Sequence, residues 1–155
     1  LPALTAPPAA DPPLFMNGVG GLGAPFWKPD FPIEFIGSGD DLQLLAAVVE
    51  SIVFLLSINL EAMRSVAALE RVLISGGLAR CDYLCQALAD VNGLVVERHA
   101  LQEATARGIA FLAAGEPADW LVPDIERSFA PATNRALAAR YALWRSEMAQ
   151  RGAVA

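Results

Sequence analysis

Leu69-Glu70-Arg71-Val72-Leu73-Ile74-Ser75-Gly76-Gly77-Leu78-Ala79-Arg80-Cys81-Asp82-Tyr83-Leu84 is a short apolar run closed by a glycine pair and followed at once by helical spacing. Val72, Leu73 and Ile74 stand together with no polar residue between them, which predicts a strand buried on both faces. Gly76-Gly77 stops it. From Arg80 or Cys81 to about Val91, the positions Tyr83, Leu84, Ala87, Leu88 and Val91 follow the helical period, and Asn92-Gly93 supplies a C-terminal stop. Leu94 to Glu97 reads as a second strand. A second helix is expected from Gln102 to Ala114, with Ala104, Gly108, Phe111 and Leu112 inward and Gly115 ending it. Strand, helix, strand, helix is the signature of an α/β fold, a sheet with helices packed against it and right-handed parallel crossovers.

Towards the N-terminus, Leu1 to Pro13 is rich in proline and has neither a basic n-region nor an apolar core, so residues 1–13 read as a linker rather than a leader. Leu14–Asn17 and Ile33–Ile36 are short strands. Between them lie Gly18-Val19-Gly20-Gly21-Leu22-Gly23 and Ala24-Pro25-Phe26-Trp27-Lys28-Pro29, a loop whose anchors are expected to be Phe26 and Trp27. Ser38-Gly39-Asp40-Asp41 caps a long helix ending near Arg64. Its run from Leu42 to Leu60 is long enough to cross a membrane. However, it carries Glu50 and Asn59, and Gln43, Glu50, Ser57 and Arg64 recur every seven residues as one narrow polar stripe. That pattern fits a soluble helix buried over most of its surface, not a membrane span. After Gly115 the chain is expected to be irregular through Pro123. A last helix should begin near Pro131, with Leu137, Tyr141, Trp144 and Met148 as a stripe facing core or partner. The organisation is thus a main domain over residues 14–130 and a C-terminal helix over 131–155 that packs on it.

The chain is 55% hydrophobic and only 18% charged, so some apolar surface is expected to meet another domain or subunit. Self-association is left open. A net charge of −6 with no basic run gives no footprint for a nucleic acid backbone. Cys81 and Cys85 share a helix face but have no second ligand pair, and two free thiols fit a reducing cytoplasm, with Cys85 a small core residue. His99 is the only histidine, so neither a histidine metal cluster nor a Ser-His-Asp triad can be assembled within the chain.

Two glycine motifs compete for a nucleotide. Gly18-Val19-Gly20-Gly21-Leu22-Gly23 matches G-x-G-x-x-G, but Pro25 and Pro29 forbid the helix whose amides would hold a pyrophosphate. Ser75-Gly76-Gly77-Leu78-Ala79-Arg80 has the better context, between a strand and a helix, where backbone can approach a flat ligand. From spacing alone, a ligand-facing turn and a plain tight turn both satisfy it.

The residues also resemble a known family, the FGGY carbohydrate kinases. Gly21-Leu22-Gly23-Ala24-Pro25-Phe26-Trp27 looks like the family's G-L-G-A-P-Y/F-W segment. Ile74-Ser75-Gly76-Gly77-Leu78-Ala79-Arg80-Cys81-Asp82-Tyr83-Leu84 looks like its adenosine motif. Val96-Glu97-Arg98, with Glu103-Ala104-Thr105-Ala106-Arg107-Gly108-Ile109-Ala110, is similar to V-E-R-P followed by E-x-T-A-x-G-A-A. Order and separation agree over roughly residues 14–115.

The resemblance implies a ribonuclease H-like, actin-type ATPase fold, present as the C-terminal, adenosine-side domain. ATP with Mg²⁺ would be the cofactor, and a sugar or polyol in the intact, cytoplasmic enzyme the phosphoryl acceptor. Gly76, Gly77 and Cys81 are the implied nucleotide-binding residues, with Cys81 standing where glycerol-specific members often carry asparagine. Cysteine cannot donate and accept as an amide does. The family's catalytic aspartate and phosphate loops belong to an N-terminal partner domain, so the resemblance implies no catalytic residue and no activity in this piece alone. Asp40, Asp41 and Glu103 read as helix-start charges. The alternative is a non-catalytic interaction or oligomerisation module that keeps the fold.

Overall fold

The computed structural model describes Leu4 and residues 11–100, 103–121 and 123–153. Strands β1 (Leu14–Asn17) and β2 (Ile33–Ile36) form an antiparallel pair, with Leu14 opposite Ile36. Helix α1 (Asp41–Arg64) leads to β3 (Arg71–Ile74), a 3₁₀ turn (Gly77–Arg80), α2 (Asp82–Asn92) and β4 (Val95–His99), which lies parallel to β3 with Leu73 opposite Glu97. Helix α3 (Ala104–Ala113), β5 (Ile125–Phe129) and α4 (Arg135–Gln150) follow. The second sheet runs β3-β4-β5, with β5 antiparallel to β4.

Both expected N-terminal strands and the long helix are present within the expected bounds. Asp40 caps α1 through a capping box in which its side chain accepts from the Gln43 amide and the Gln43 side chain accepts from the Asp40 amide. The start of α2 is later than the spacing suggests, because Gly77–Arg80 forms a 3₁₀ turn first. Gly93 closes α2 in the left-handed conformation, φ 63°. The helix expected from Gln102 starts within the described residues at Ala104, and residues 101 and 102 lie outside them. Strand β5 lies between the expected irregular stretch, which ends at Pro123, and the last helix, where the sequence predicts no element. Its middle residues Glu126, Arg127 and Ser128 hide it from any hydrophobic pattern, and it forms by pairing Phe129 with Val96 and Arg127 with Arg98.

The loop after β1 is tight because its backbone is crowded. A side chain on Gly18 would meet the Phe31 carbonyl oxygen at 2.1 Å, and Gly21 combines a φ of +79° with Pro29 backbone at 2.8 Å. Leu22 and Lys28 bridge across the loop. Its anchors are buried Leu22 and half-buried Phe26, whereas Trp27, expected as an anchor, is 75% exposed. The loop curls back at Trp27 with φ 52°, which carries the ring outward.

The core lies between β1, α1, α2 and α4. Val49, Val53, Phe54, Leu84, Leu88, Trp144 and Met148 are all fully buried there, so the stripe Leu137, Trp144 and Met148 of α4 is core. The described part of the proline-rich stretch joins it, with Leu4, Pro12 and Pro13 buried. The middle of the polar stripe of α1, Glu50 and Ser57, points inward, while Arg64 is exposed. Glu50, 2% exposed, accepts from Tyr83 Oη at 2.5 Å and from Arg140 Nη2 at 2.5 Å and Nε at 2.9 Å. Arg140 also donates to the carbonyls of Pro12 and Pro13. One turn-pair further on, Asn92 donates to Ser57 Oγ at 2.8 Å, and Arg64 donates to the Asn92 carbonyl. The outward side of α1 instead carries Leu42, Leu56 and Met63, all exposed.

Removing one partner of a buried ion pair leaves the other charge without compensation. Arg140→Ala is therefore expected to lower the urea unfolding free energy by ~3 kcal/mol. Tyr83→Phe, which deletes one hydrogen bond to the same carboxylate, should cost about 1.5 kcal/mol. Equal, sub-kcal losses would show that the pair does not hold the helices together.

Candidate functional site

The Gly76-Gly77 turn lies at the carboxyl end of β3, where ligands gather in sheets of this class. Gly76 takes φ 92° and ψ −179°, a conformation that a side chain would strain. Nothing lies within 4 Å of the position a Cβ would take on either glycine, so the outer side of the turn is open. The amides of Gly77 and Leu78 begin a helical turn and have no acceptor within it. Beneath, the turn is fastened. Ala79 N donates to Gly76 O at 3.2 Å, while Ala79 O accepts from Arg98 Nη1 at 3.0 Å and from Cys85 Sγ at 3.2 Å.

Cys81 separates from the two glycines. Its thiol is 1% exposed and donates to the Leu4 carbonyl at 3.5 Å, under the turn rather than on its open side. Cys85 is wholly buried as expected. Burial, with Asp82 adding to it and Arg98 opposing it, pushes its thiol up to about 11. Asp82 is the acid nearest the turn, and it is engaged, with Arg98 Nη1 at 2.8 Å and Arg127 Nη1 at 2.5 Å. Burial works against the Arg98 charge, but Asp82 and Glu126 outweigh it and hold the guanidinium above its ordinary range. Asp40, Asp41 and Glu103 stand at helix starts, as their sequence context suggests.

Beside the turn, reaching Ser75, opens a cleft of about 570 Å³ between the β3-β4-β5 sheet and α3. It is lined by Leu73, Glu97, Arg107, Phe111, Trp120 and Ile125 among others. This cleft overturns two expectations. Strand β3 is not buried on both faces, since Leu73 is 54% exposed into the cleft. Helix α3 buries no residue, and Leu112, expected inward, is 64% exposed. Ala104, Gly108 and Phe111 do face the sheet, across open space. His99, at the end of β4, donates through Nδ1 to the Pro123 carbonyl at 2.9 Å. The Arg107 guanidinium stacks on Trp120 at 4.7 Å, a pairing that no sequence period foretells.

The profile of the FGGY family of carbohydrate kinases, C-terminal domain, matches residues 2–115. The chain is 35% identical over 141 residues to a glycerol kinase of Cereibacter sphaeroides, covering 80% of this chain and 28% of that protein. Among solved structures it is similar to a ligand-bound xylulose kinase from Lactobacillus acidophilus, with a TM-score of 0.71, 20% identity, and coverage of 91% of this chain and 31% of the other. It is also similar to the Plasmodium falciparum glycerol kinase with ADP, with a TM-score of 0.71, 19% identity, and coverage of 92% and 31%. These structural likenesses show the fold, the actin-like ATPase fold of the sugar kinases. The chain spans less than a third of the length of these relatives.

The Cys85 environment gives a direct check on the underside of the turn. A raised thiol is held protonated in the fold below its ordinary 9.0, and the stability tied to it is lost as pH rises from there towards about 11. Iodoacetamide at about pH 8.5 should alkylate Cys85 at least ~100-fold more slowly in the folded chain than in urea. Equal rates by mass spectrometry would mean that the thiol is not under the turn.

Proposed function

The chain belongs to the FGGY family of carbohydrate kinases, through their C-terminal domain, and on that premise we propose that it carries the adenosine side of an enzyme moving the ATP γ-phosphate to a sugar or glycerol hydroxyl. The observation that carries the reading is the open Gly76-Gly77 turn at the carboxyl end of β3, within the matched residues. Bare backbone there lets a planar base and ribose lie against the peptide, and the Arg98 and Cys85 contacts to Ala79 O keep that surface rigid. Cys81 contributes its backbone position, its thiol being turned to Leu4. The ADP-bound Plasmodium relative supports the choice of ligand.

Phosphoryl transfer depends on groups that clamp the phosphates and take the hydroxyl proton. Asp82 is committed to two arginines. Among the described residues no three His, Cys, Asp or Glu side chains converge. We assign metal, base and acceptor binding to the remainder of a longer, cytoplasmic kinase, with the acceptor left as sugar or polyol. The rival reading, an interaction module without catalysis, has the unburied α3 in its favour.

Gly77 tolerates a side chain sterically, so Gly77→Trp places an indole where the base would lie without displacing the fold. In the full-length kinase this variant is expected to weaken ADP binding at least ~100-fold by calorimetry, while circular dichroism stays unchanged. Unchanged affinity would remove the turn from the site. The chain of residues 1–155 alone should phosphorylate neither glycerol nor a pentulose, and turnover by it would refute the division of labour.

A further inference from the structure

We propose that Arg80 reads the edge of the base bound at the glycine turn, and that it admits 6-oxopurine nucleotides, guanosine or inosine phosphates, beside adenosine ones. The inference rests on the nucleotide reading of the Gly76-Gly77 turn and deepens it by naming the side chain that selects the base.

The placement follows from the 3₁₀ turn. With three residues to a turn, side chains at i and i+3 eclipse, so Arg80 stands on the same face as Gly77, about 6 Å further along the axis. Ala79 is buried and marks the inward face, whereas Leu78 and Arg80 are exposed. The side of Gly77 that Arg80 shares is open, with nothing within 4 Å of a Cβ position. A base lying flat on the Gly77 peptide therefore has bare backbone as its floor and a guanidinium as a wall at its edge.

That guanidinium is free to act. Asp82, the acid nearest to it in the chain, has both oxygens occupied. Oδ1 accepts from Arg98 Nη1 at 2.8 Å and Oδ2 from Arg127 Nη1 at 2.5 Å. Among the described residues no ion pair or hydrogen bond engages the Arg80 side chain. It is also the sole polar group that the turn offers outward. Gly76, Gly77, Leu78 and Ala79 bring no polar side chain, and Cys81 turns its thiol beneath to Leu4.

The chemistry of the edge then decides the preference. A guanidinium carries donors in a planar fork and no acceptor. Guanine and hypoxanthine present O6 and N7, two adjacent acceptors that the fork fits bidentately. Adenine presents N7 beside its N6 amino group, so one bond forms and the second donor meets another donor.

Calorimetry on the full-length kinase with ADP, GDP and 7-deaza-GDP, which lacks the N7 acceptor, tests this. GDP is expected to bind within ~10-fold of ADP or tighter, and 7-deaza-GDP ~10-fold more weakly than GDP. Arg80→Met, at an exposed site, should lower the GDP-to-ADP affinity ratio at least ~10-fold and erase the penalty for the missing N7. Arg80→Gln, whose amide matches adenine N6 and N7, should move the ratio further towards ADP. GDP binding more than ~10-fold weaker than ADP overturns the proposal. So does an equal weakening of all three nucleotides by Arg80→Met, which puts the guanidinium on a phosphate or over the ring face. Gly77→Trp separates the two readings. If it abolishes ADP binding in a kinase that excludes GDP, only base selection falls; if it leaves nucleotide binding untouched, the turn falls and base selection with it.

Discussion

One buried carboxylate organises this molecule. Glu50 is buried on the core side of α1, and a charge so placed is tolerable only when paired and hydrogen-bonded. Its partners come from α2 and α4, and Arg140 in turn holds the backbone at Pro12 and Pro13. Four separate segments are therefore fixed by a single electrostatic requirement. The requirement also decides which way α1 faces. Glu50 and Ser57 turn inward beside Val49, Val53 and Phe54, while Leu42, Leu56 and Met63 are left outside. The long apolar run that could be mistaken for a membrane span is thus a core helix with Glu50 and Ser57 buried.

That arrangement positions the candidate site. Helix α2 is held against α1 through Tyr83, and α2 begins directly after the glycine turn. Arg98 on β4 reaches back to Ala79 O, so strand, turn and helix form one braced unit. The open side of the turn is consequently rigid while carrying no side chain. Rigidity without bulk is what a backbone contact to a flat ligand needs, because little ordering is left to do on binding.

Much of this was legible in the sequence. The apolar run before Gly76-Gly77, the Asp40 cap and the Asn92-Gly93 stop are local features, and local chemistry settles them. The seven-residue recurrence of Glu50 and Ser57 marks a face, but periodicity cannot say whether that face meets water or a counter-charge 90 residues away. Strand β5 was hidden for a related reason. Its polar middle makes sense only beside Arg98 and Asp82, a long-range arrangement that composition does not encode. Trp27 misleads because an aromatic in a tight loop usually packs inward, whereas a positive φ turns this one out. The glycine pair was visible from the start. The thiol of Cys81 lying under the turn was not, since it depends on Leu4 folding across from the other end of the chain.

The 90 residues between Glu50 and Arg140 also impose an order in time. During synthesis α1 is complete, with its acid, well before α4 leaves the ribosome. Until then Glu50 lacks the Arg140 guanidinium, and burying its carboxylate would leave a charge without compensation. Contacts of such separation form late because a long loop has to close first. The last helix to be made therefore supplies the counter-charge that the earlier ones enclose.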